Sequence, residues 1–290
     1  MQPSPQPPRV FNLKLPTGIS PLTLFALCLC APGIVVAHCK RPVQVPMSAT
    51  GQSVVIEGDT VRGIYPELLS ALSAKEKCRF VISPVPRARL EKLFESGQAD
   101  MIVASTRSAR RDQFGVFIPM IRSRATAITL EDSARLPFRT TQEILDSKEV
   151  RLVVVRGYDY GPNYHELLDA MAKENRLLLE AEPTAVARLM RVNPHDITIM
   201  VPTIIYGAMQ EDSRLQDDRD KLRFEPLDNL PWGESGVYLS KTSMDPAMFK
   251  HLQAVLQRAT ISGVVYKGFA GYYPPHVLKD SIKPLDRATP

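Results

Sequence analysis

The chain has 290 residues, 44 % of them apolar, with 36 Lys and Arg against 31 Asp and Glu. That length can bury a sizeable core and suits two lobes better than one. A formal charge of +5 is too mild for a nucleic-acid surface.

Residues 1–18 carry Arg9, Lys14 and five prolines but no acid, and residues 19–37 follow without a charge. Val35 and Ala37 offer the small side chains of a cleavage site, so residues 1–37 read as a signal peptide. A retained membrane anchor is the competing reading, and Pro32 and Gly33 oppose it. Cleavage removes two bases and no acid, taking the 36 bases to 34 against 31 acids, a net charge of +3. No later run is long and apolar enough to span a bilayer, so a soluble exported protein is expected.

Cys28 and Cys30 leave with that peptide, and Cys39 and Cys78 remain. In an oxidising compartment a disulfide persists. Each cysteine precedes a predicted strand; if the two strands are adjacent and parallel, their starts lie within bridging distance. A lipid on Cys39 needs a small residue before it and finds His38, and zinc-ligand spacing is lacking.

Residues 42–48 read as a first strand and 49–62 as a loop or small hairpin ending at Gly63. Residues 65–75 are helical, with Leu68, Leu69 and Leu72 in period and Pro66 in the first turn. A second strand at 80–85 stops at Pro86; a helix at 87–95 stops near Gly97. The apolar run 99–106 is a buried third strand, and two strand-helix units feeding it make a parallel sheet. Residues 114–118 are followed by Pro119, and the extended run 124–130 reads as a first crossing between lobes, before a polar break at 131–135.

A second α/β series then begins. It comprises a short helix at 141–146 capped by Thr140 or Thr141, a strand at 151–155 and a glycine loop with Gly157 and Gly161. A helix at 164–173, a strand at 177–180, a helix at 184–190 and a strand at 197–201 stopped by Pro202 follow. Residues 204–209 continue helically, and the charge run 211–221 reads as a solvated loop or helix face. Residues 236–239 read as the return crossing, ahead of helices at 248–259 and 264–273 and a proline-rich tail. Two crossings make a hinge, and a hinge makes a cleft.

In order and spacing, the segments Gly63-Ile64-Tyr65-Pro66-Glu67-Leu68-Leu69, Gly97-Gln98-Ala99-Asp100, Thr106 to Arg111, the Gly157 loop and Gly236-Val237-Tyr238 together resemble the solute-binding proteins of ABC importers. The likeness is to their polar amino-acid-binding family and covers roughly residues 42–275; Val85-Pro86-Arg87-Ala88-Arg89 resembles a proteobacterial subgroup of it. The resemblance implies an α/β fold of two periplasmic-binding-protein-like lobes with two inter-lobe crossings. Residues 38–127 and 235–290 would form the first lobe and 128–234 the second.

It also implies that Arg111 pairs with a ligand carboxylate, which a guanidinium holds bidentately. Thr106 and Ser108 would offer hydroxyl or backbone groups, and Gly157 its backbone N–H. Arg111 pairing at the surface with Asp112 is the competing reading. Arg111→Ala is expected to abolish binding and to change stability by at most about 1 kcal/mol. Relatives that hold an ammonium place an aspartate where this chain has Val201, so either the ligand lacks a free α-amine or Asp159 or Glu234 substitutes from another loop. Arg87 at the second strand's end should face the cleft, with Arg122 and Arg124 near the hinge. Tyr158, Tyr160 and Trp232 are candidate stacking walls. So many arginines suggest an anionic or amino-acid-like solute.

The five histidines lack metal spacing and no nucleophile elbow appears, so no enzyme, metal or cofactor is expected. The expected protein is a periplasmic monomer that binds a small-molecule solute for an inner-membrane ABC permease, without nucleic acid. The alternative is a periplasmic sensor or accessory protein using the same fold.

Overall fold

The computed structural model describes residues 39–130 and 136–286. The signal peptide expected at 1–37 and the polar break at 131–135 lie outside the described residues. The chain runs β1 (Val43–Met47), β2 (Val55–Glu57), β3 (Thr60–Arg62), α1 (Ile64–Glu76), β4 (Phe80–Pro84), α2 (Arg87–Glu95), β5 (Met101–Thr106), α3 (Ala109–Phe114), β6 (Gly115–Ser123) and β7 (Thr126–Leu130). It continues α4 (Thr141–Asp146), β8 (Arg151–Val155), α5 (Pro162–Lys173), β9 (Leu177–Glu180), α6 (Pro183–Val192), β10 (Asp196–Met200), α7 (Pro202–Glu211) and, after a 3-10 turn at Gln216–Lys221, β11 (Leu222–Pro226). The last elements are β12 (Gly233–Ser240), α8 (Pro246–Ser262), α9 (Val264–Tyr272), α10 (Pro275–Lys279) and β13 (Ile282–Lys283).

In the first lobe β1 and β4 pair in parallel, from Val43 opposite Phe80 to Met47 opposite Pro84. The order β13-β6-β12-β5 continues that lobe, and the Asp100 amide donates to the Gln44 carbonyl at 2.9 Å to join the two parts. The sheet is thus mixed: β12 lies antiparallel to both β5 and β6. The second lobe is a sheet of order β11-β7-β10-β8-β9, parallel from β10 to β9 and antiparallel at β7 and β11. An Arg–Asp pair clasps the strand starts in each lobe, Arg41–Asp100 at 2.7 Å and Arg151–Asp196 at 2.7 Å.

The crossings sit slightly away from where the residue pattern put them. β7 takes 126–130 into the second sheet, so the first passage narrows to Arg124 and Ala125; the return runs through 227–232, because 236–239 belong to β12. Arg124 ties the two passages together, donating from Nη2 to the Leu227 carbonyl at 2.9 Å and from Nε to that of Leu230 at 3.3 Å. Residues 115–118 and Pro119 belong to one strand, β6, which runs through the proline. Pro119 lies opposite Gly236, where the β12 register slips, and β13 meets β6 only at Arg122 and Ser123, so no ladder bond is asked of the missing N–H. A Cβ on Gly236 would stand 2.2 Å from the Ile118 carbonyl oxygen. The tail also orders more than expected, with Pro275 in the first turn of α10.

Cys39 and Cys78 form a disulfide, with Cα atoms 5.2 Å apart at the starts of β1 and β4. Changing both to Ser is expected to lower the unfolding free energy by about 3 to 4 kcal/mol in the chain-entropy account, read by urea titration. An unchanged midpoint would show that the bridge constrains nothing the sheet does not already hold. Gly236→Ala should cost about 2 kcal/mol through overpacking against backbone, measured in the same titration.

Candidate functional site

The C-terminal strand ends of both lobes face one another across a cavity of ≈ 40 Å³. That is space for about three waters. The first lobe lines it with Thr50, Ser53, Tyr65 on α1, Arg87 on α2, Ala104 and Thr106 on β5, and Arg111 on α3. The second contributes Tyr158, Asp159 and Tyr160 from the loop after β8, and Val201, Thr203 and Ile204 where β10 becomes α7. Ligands of open α/β sheets bind at such strand ends. A wider groove of ≈ 290 Å³ adjoins it, between residues 48–56 and 84–87 of the first lobe and 181–184 and 207–211 of the second; Arg87 lines both.

The strand β5 reaches the cavity through a distortion. Ala104 has φ of 52°, a left-handed conformation that an alanine adopts at a cost, and the β5–β12 register slips beside it. Beyond that kink, Thr106 donates from Oγ1 to the Asp159 carbonyl at 2.8 Å, a direct bond between the lobes. The Arg87 guanidinium stands 5.9 Å from the Tyr158 ring, a second inter-lobe contact.

Arg111 is buried, 4 % exposed. Its Nε donates to Glu91 Oε2 at 2.9 Å, its Nη2 to Glu91 Oε1 at 2.9 Å, and its Nη1 to the Thr106 carbonyl at 2.9 Å and Oγ1 at 3.2 Å. Arg87 donates from Nε to the same Glu91 Oε1 at 2.8 Å and from Nη2 to Ser105 Oγ at 3.1 Å. Burial pushes the Glu91 carboxyl up, but the charges of Arg87 and Arg111 outweigh it and hold that carboxyl below its usual range. On Arg111 burial acts downward and the Glu91 carboxylate more than offsets it.

Asp159 supplies the second lobe's charge. Its Oδ1 accepts from the Gly161 amide at 3.0 Å and meets His165 Nε2 at 3.0 Å. Burial raises this carboxyl too, and the Gly161 N–H, Arg111 and His165 bring it below the ordinary carboxylate range. Arg87, Arg111 and Asp159 line the cavity and Glu91 stands buried behind the two arginines, so two positive charges meet two negative ones in and beside it. The Tyr65 hydroxyl, on a side chain 1 % exposed, has no hydrogen-bond partner among the described residues.

Of the residues singled out in the sequence, Arg87, Thr106, Arg111, Tyr158 and Asp159 come together on the cavity wall, as do Tyr160 and Val201. Ser108 does not line it. Its Oγ caps α3 by accepting from the Arg111 amide, and its own amide donates to the Tyr238 hydroxyl at 3.0 Å. Gly157, at φ +92°, also stays off the wall: a Cβ there would lie 3.3 Å from the Ala88 backbone, so the glycine permits the lobes to approach. The surface pairing of Arg111 with Asp112 is absent, since Asp112 accepts from Arg107 at 3.1 Å and from the Tyr238 hydroxyl at 2.9 Å. Arg122 meets Asp286 at 2.9 Å, and Trp232 lies under Lys283 Nζ at 4.2 Å, away from the cavity. Glu91 and Tyr65 were missed. Glu91 follows Arg87 by four residues on a helix, a spacing that signals a pair. Among the described residues no cluster of His, Cys, Asp or Glu could hold a metal ion, and no helix is long and apolar enough to cross a membrane.

No protein-family model and no curated protein matches the chain. Solved structures do match. The substrate-binding protein of an amino acid ABC transporter superposes with a TM-score of 0.60 at 16 % identity, over 80 % of this chain and 99 % of its own. The fold is that of the periplasmic binding proteins. A histidine kinase sensor domain with similarity to periplasmic binding proteins aligns at TM-score 0.62 and 14 % identity, over 85 % of this chain and 99 % of its own. A putative L-cystine ABC transporter from Listeria monocytogenes aligns at TM-score 0.62 and 13 % identity, over 80 % and 95 %. Identities this low carry the periplasmic-binding-protein fold and leave the ligand to the chemistry of the site.

Because Arg111 is an internal ion-pair partner, Arg111→Ala should lower stability by about 3 kcal/mol, well beyond the change expected for an exposed ligand contact; urea unfolding measures it. Glu91 and Asp159 both have folded pKa values below their unfolded ones. Their stabilisation is fully present above the unfolded carboxylate value of about 4 and is lost as pH falls through it toward the folded values. The expected Tm is level from about pH 7 to 5 and falls below about pH 4, with a shallower fall in Glu91→Gln. An identical slope in that variant would show that Glu91 takes no part.

Proposed function

We propose that the chain captures a small polar solute between its two lobes in the periplasm and, as a monomer, presents the closed form to an inner-membrane ABC permease. The observation that carries this reading is the Thr106–Asp159 bond beside a cavity walled by both lobes. A solute bridging those walls favours the closed form, and a partner that recognises that form reads the population shift. The lobes meet at residues 124–125 and 227–232, where Arg124 clasps the two passages.

The chemistry of the site supports an amino-acid-like solute through one group, Asp159. It is an ionised acceptor for an ammonium where Val201, at the end of β10, offers none. The substrate-binding protein of an amino acid ABC transporter, to which the chain is similar, points the same way. The anionic character suggested by the arginines loses its support, because Glu91 and Asp159 balance Arg87 and Arg111, and Arg122 and Arg124 are engaged elsewhere. A second reading, a sensor input, is favoured by the similarity to a histidine kinase sensor domain. It uses the same cavity and differs only in the partner.

The test is a thermal-shift screen of refolded protein across amino acids, amines, polyamines, dicarboxylates, sugars and oligopeptides. Trp232, the single tryptophan, lies on the return passage, and its fluorescence is followed in the same titrations. The expected result is a saturable rise in Tm with one class, a coupled change in Trp232 emission, and a loss of at least about tenfold in affinity in Asp159→Asn. Silence with every class, in protein shown to be folded, would overturn solute capture.

A further inference from the structure

The fork of Arg111 that a carboxylate would enter is already full. Both oxygens of Glu91 lie along its Nε–Nη2 edge, Thr106 takes Nη1, and of the five guanidinium N–H groups one, on Nη2, is left without a protein acceptor. Glu91 is itself inaccessible, its side chain 5 % exposed, and is held from the other side by Arg87. We propose that Glu91 is the resident carboxylate of this site, occupying the place of a ligand carboxylate, so that the cavity selects solutes bearing an amine or hydroxyl donor and no free carboxylate. This deepens the solute-capture reading and rests on it.

The reasoning is one of charge and unfilled hydrogen-bond capacity. A solute carboxylate would bring a negative charge into a balanced cavity and meet a single N–H where a bidentate fork would be needed to offset its desolvation. The unfilled groups are of the opposite kind. Among the described residues Asp159 forms its side-chain hydrogen bonds through Oδ1, to the Gly161 amide and His165, and none through Oδ2. The Tyr65 hydroxyl, buried on the same wall, is unpartnered and offers one donor and an acceptor. An ammonium or hydroxyl donor toward Asp159, with a neutral polar group toward Tyr65, completes both. Amino-acid amides and amino alcohols have this pattern.

The experiment compares native protein with Glu91→Ala and Glu91→Gln by thermal shift, using acetate, glycine and glycinamide as probes, with chloride at matched ionic strength as the control. Glu91→Ala empties the fork, so acetate should stabilise it saturably, with an apparent Kd at least tenfold tighter than for native protein. Adding Arg111→Lys should remove that gain. Native protein should respond to glycinamide before glycine, and Glu91→Gln should reverse the order. If acetate acts on Glu91→Ala no more than chloride does, or if native protein prefers glycine and loses it in Glu91→Gln, the assignment falls. Should Glu91→Ala fail to fold, the glycine-to-glycinamide order in Glu91→Gln decides alone. If native protein ignores every solute class while Glu91→Ala takes up acetate, the resident-carboxylate assignment stands and solute capture is what fails.

Discussion

Two guanidinium groups share one carboxylate inside the first lobe, and the geometry of the cavity follows from that pairing. Glu91 receives Arg87 from its own helix and Arg111 from α3, and Arg111 reaches on to the Thr106 carbonyl at the end of β5. Three elements that pack through Leu90, Phe94, Ile102 and Phe114 are thereby locked at their cavity ends as well. Buried charge is tolerated here because every member faces opposite charge and is hydrogen-bonded; removing one leaves another buried and under-compensated. The same pairing orients Thr106, whose hydroxyl crosses to Asp159.

The second constraint is the double passage between lobes. A chain that crosses twice makes a hinge whose two segments must move together, and Arg124 couples them through the carbonyls of Leu227 and Leu230. Elsewhere the lobes approach closely. Tyr273, after α9, donates to the Thr203 carbonyl at 2.8 Å and accepts from the Gln52 amide at 2.8 Å, and a Cβ on Gly207 would stand 2.5 Å from its hydroxyl. A continuous buried cluster joins Val45 and Met47 of one lobe to Val155, Met200 and Ile205 of the other. The two lobes thus pack directly against each other beyond the two passages.

Much of the fold was legible because its signals are local. The apolar runs of β5, β8 and β10, the stop of β10 before Pro202, and the Thr140 cap of α4 follow from neighbours a few residues away. The Cys39–Cys78 bridge was also readable, since two parallel strands bring their starts together. The continuation of β6 through Pro119 was not, because what makes it tolerable is a register slip at Gly236, more than a hundred residues away. The crossing at 124–130 read as linker because extended residues look alike whether they join two sheets or belong to one.

At the site the division is the same. Residue type and order alone bring Arg87, Thr106, Arg111, Tyr158 and Asp159 to strand ends, and strand ends are where an α/β chain meets its ligand. Tertiary structure decided which of their polar groups remain available. Arg111 is the most recognisable cation in the chain, and its fork is spent on Glu91. Asp159, an unremarkable acid in a glycine loop, lines the cavity and uses one carboxylate oxygen, Oδ1, for Gly161 and His165. A side chain's type states what it can bond, and only the fold determines whether a buried neighbour has already satisfied it.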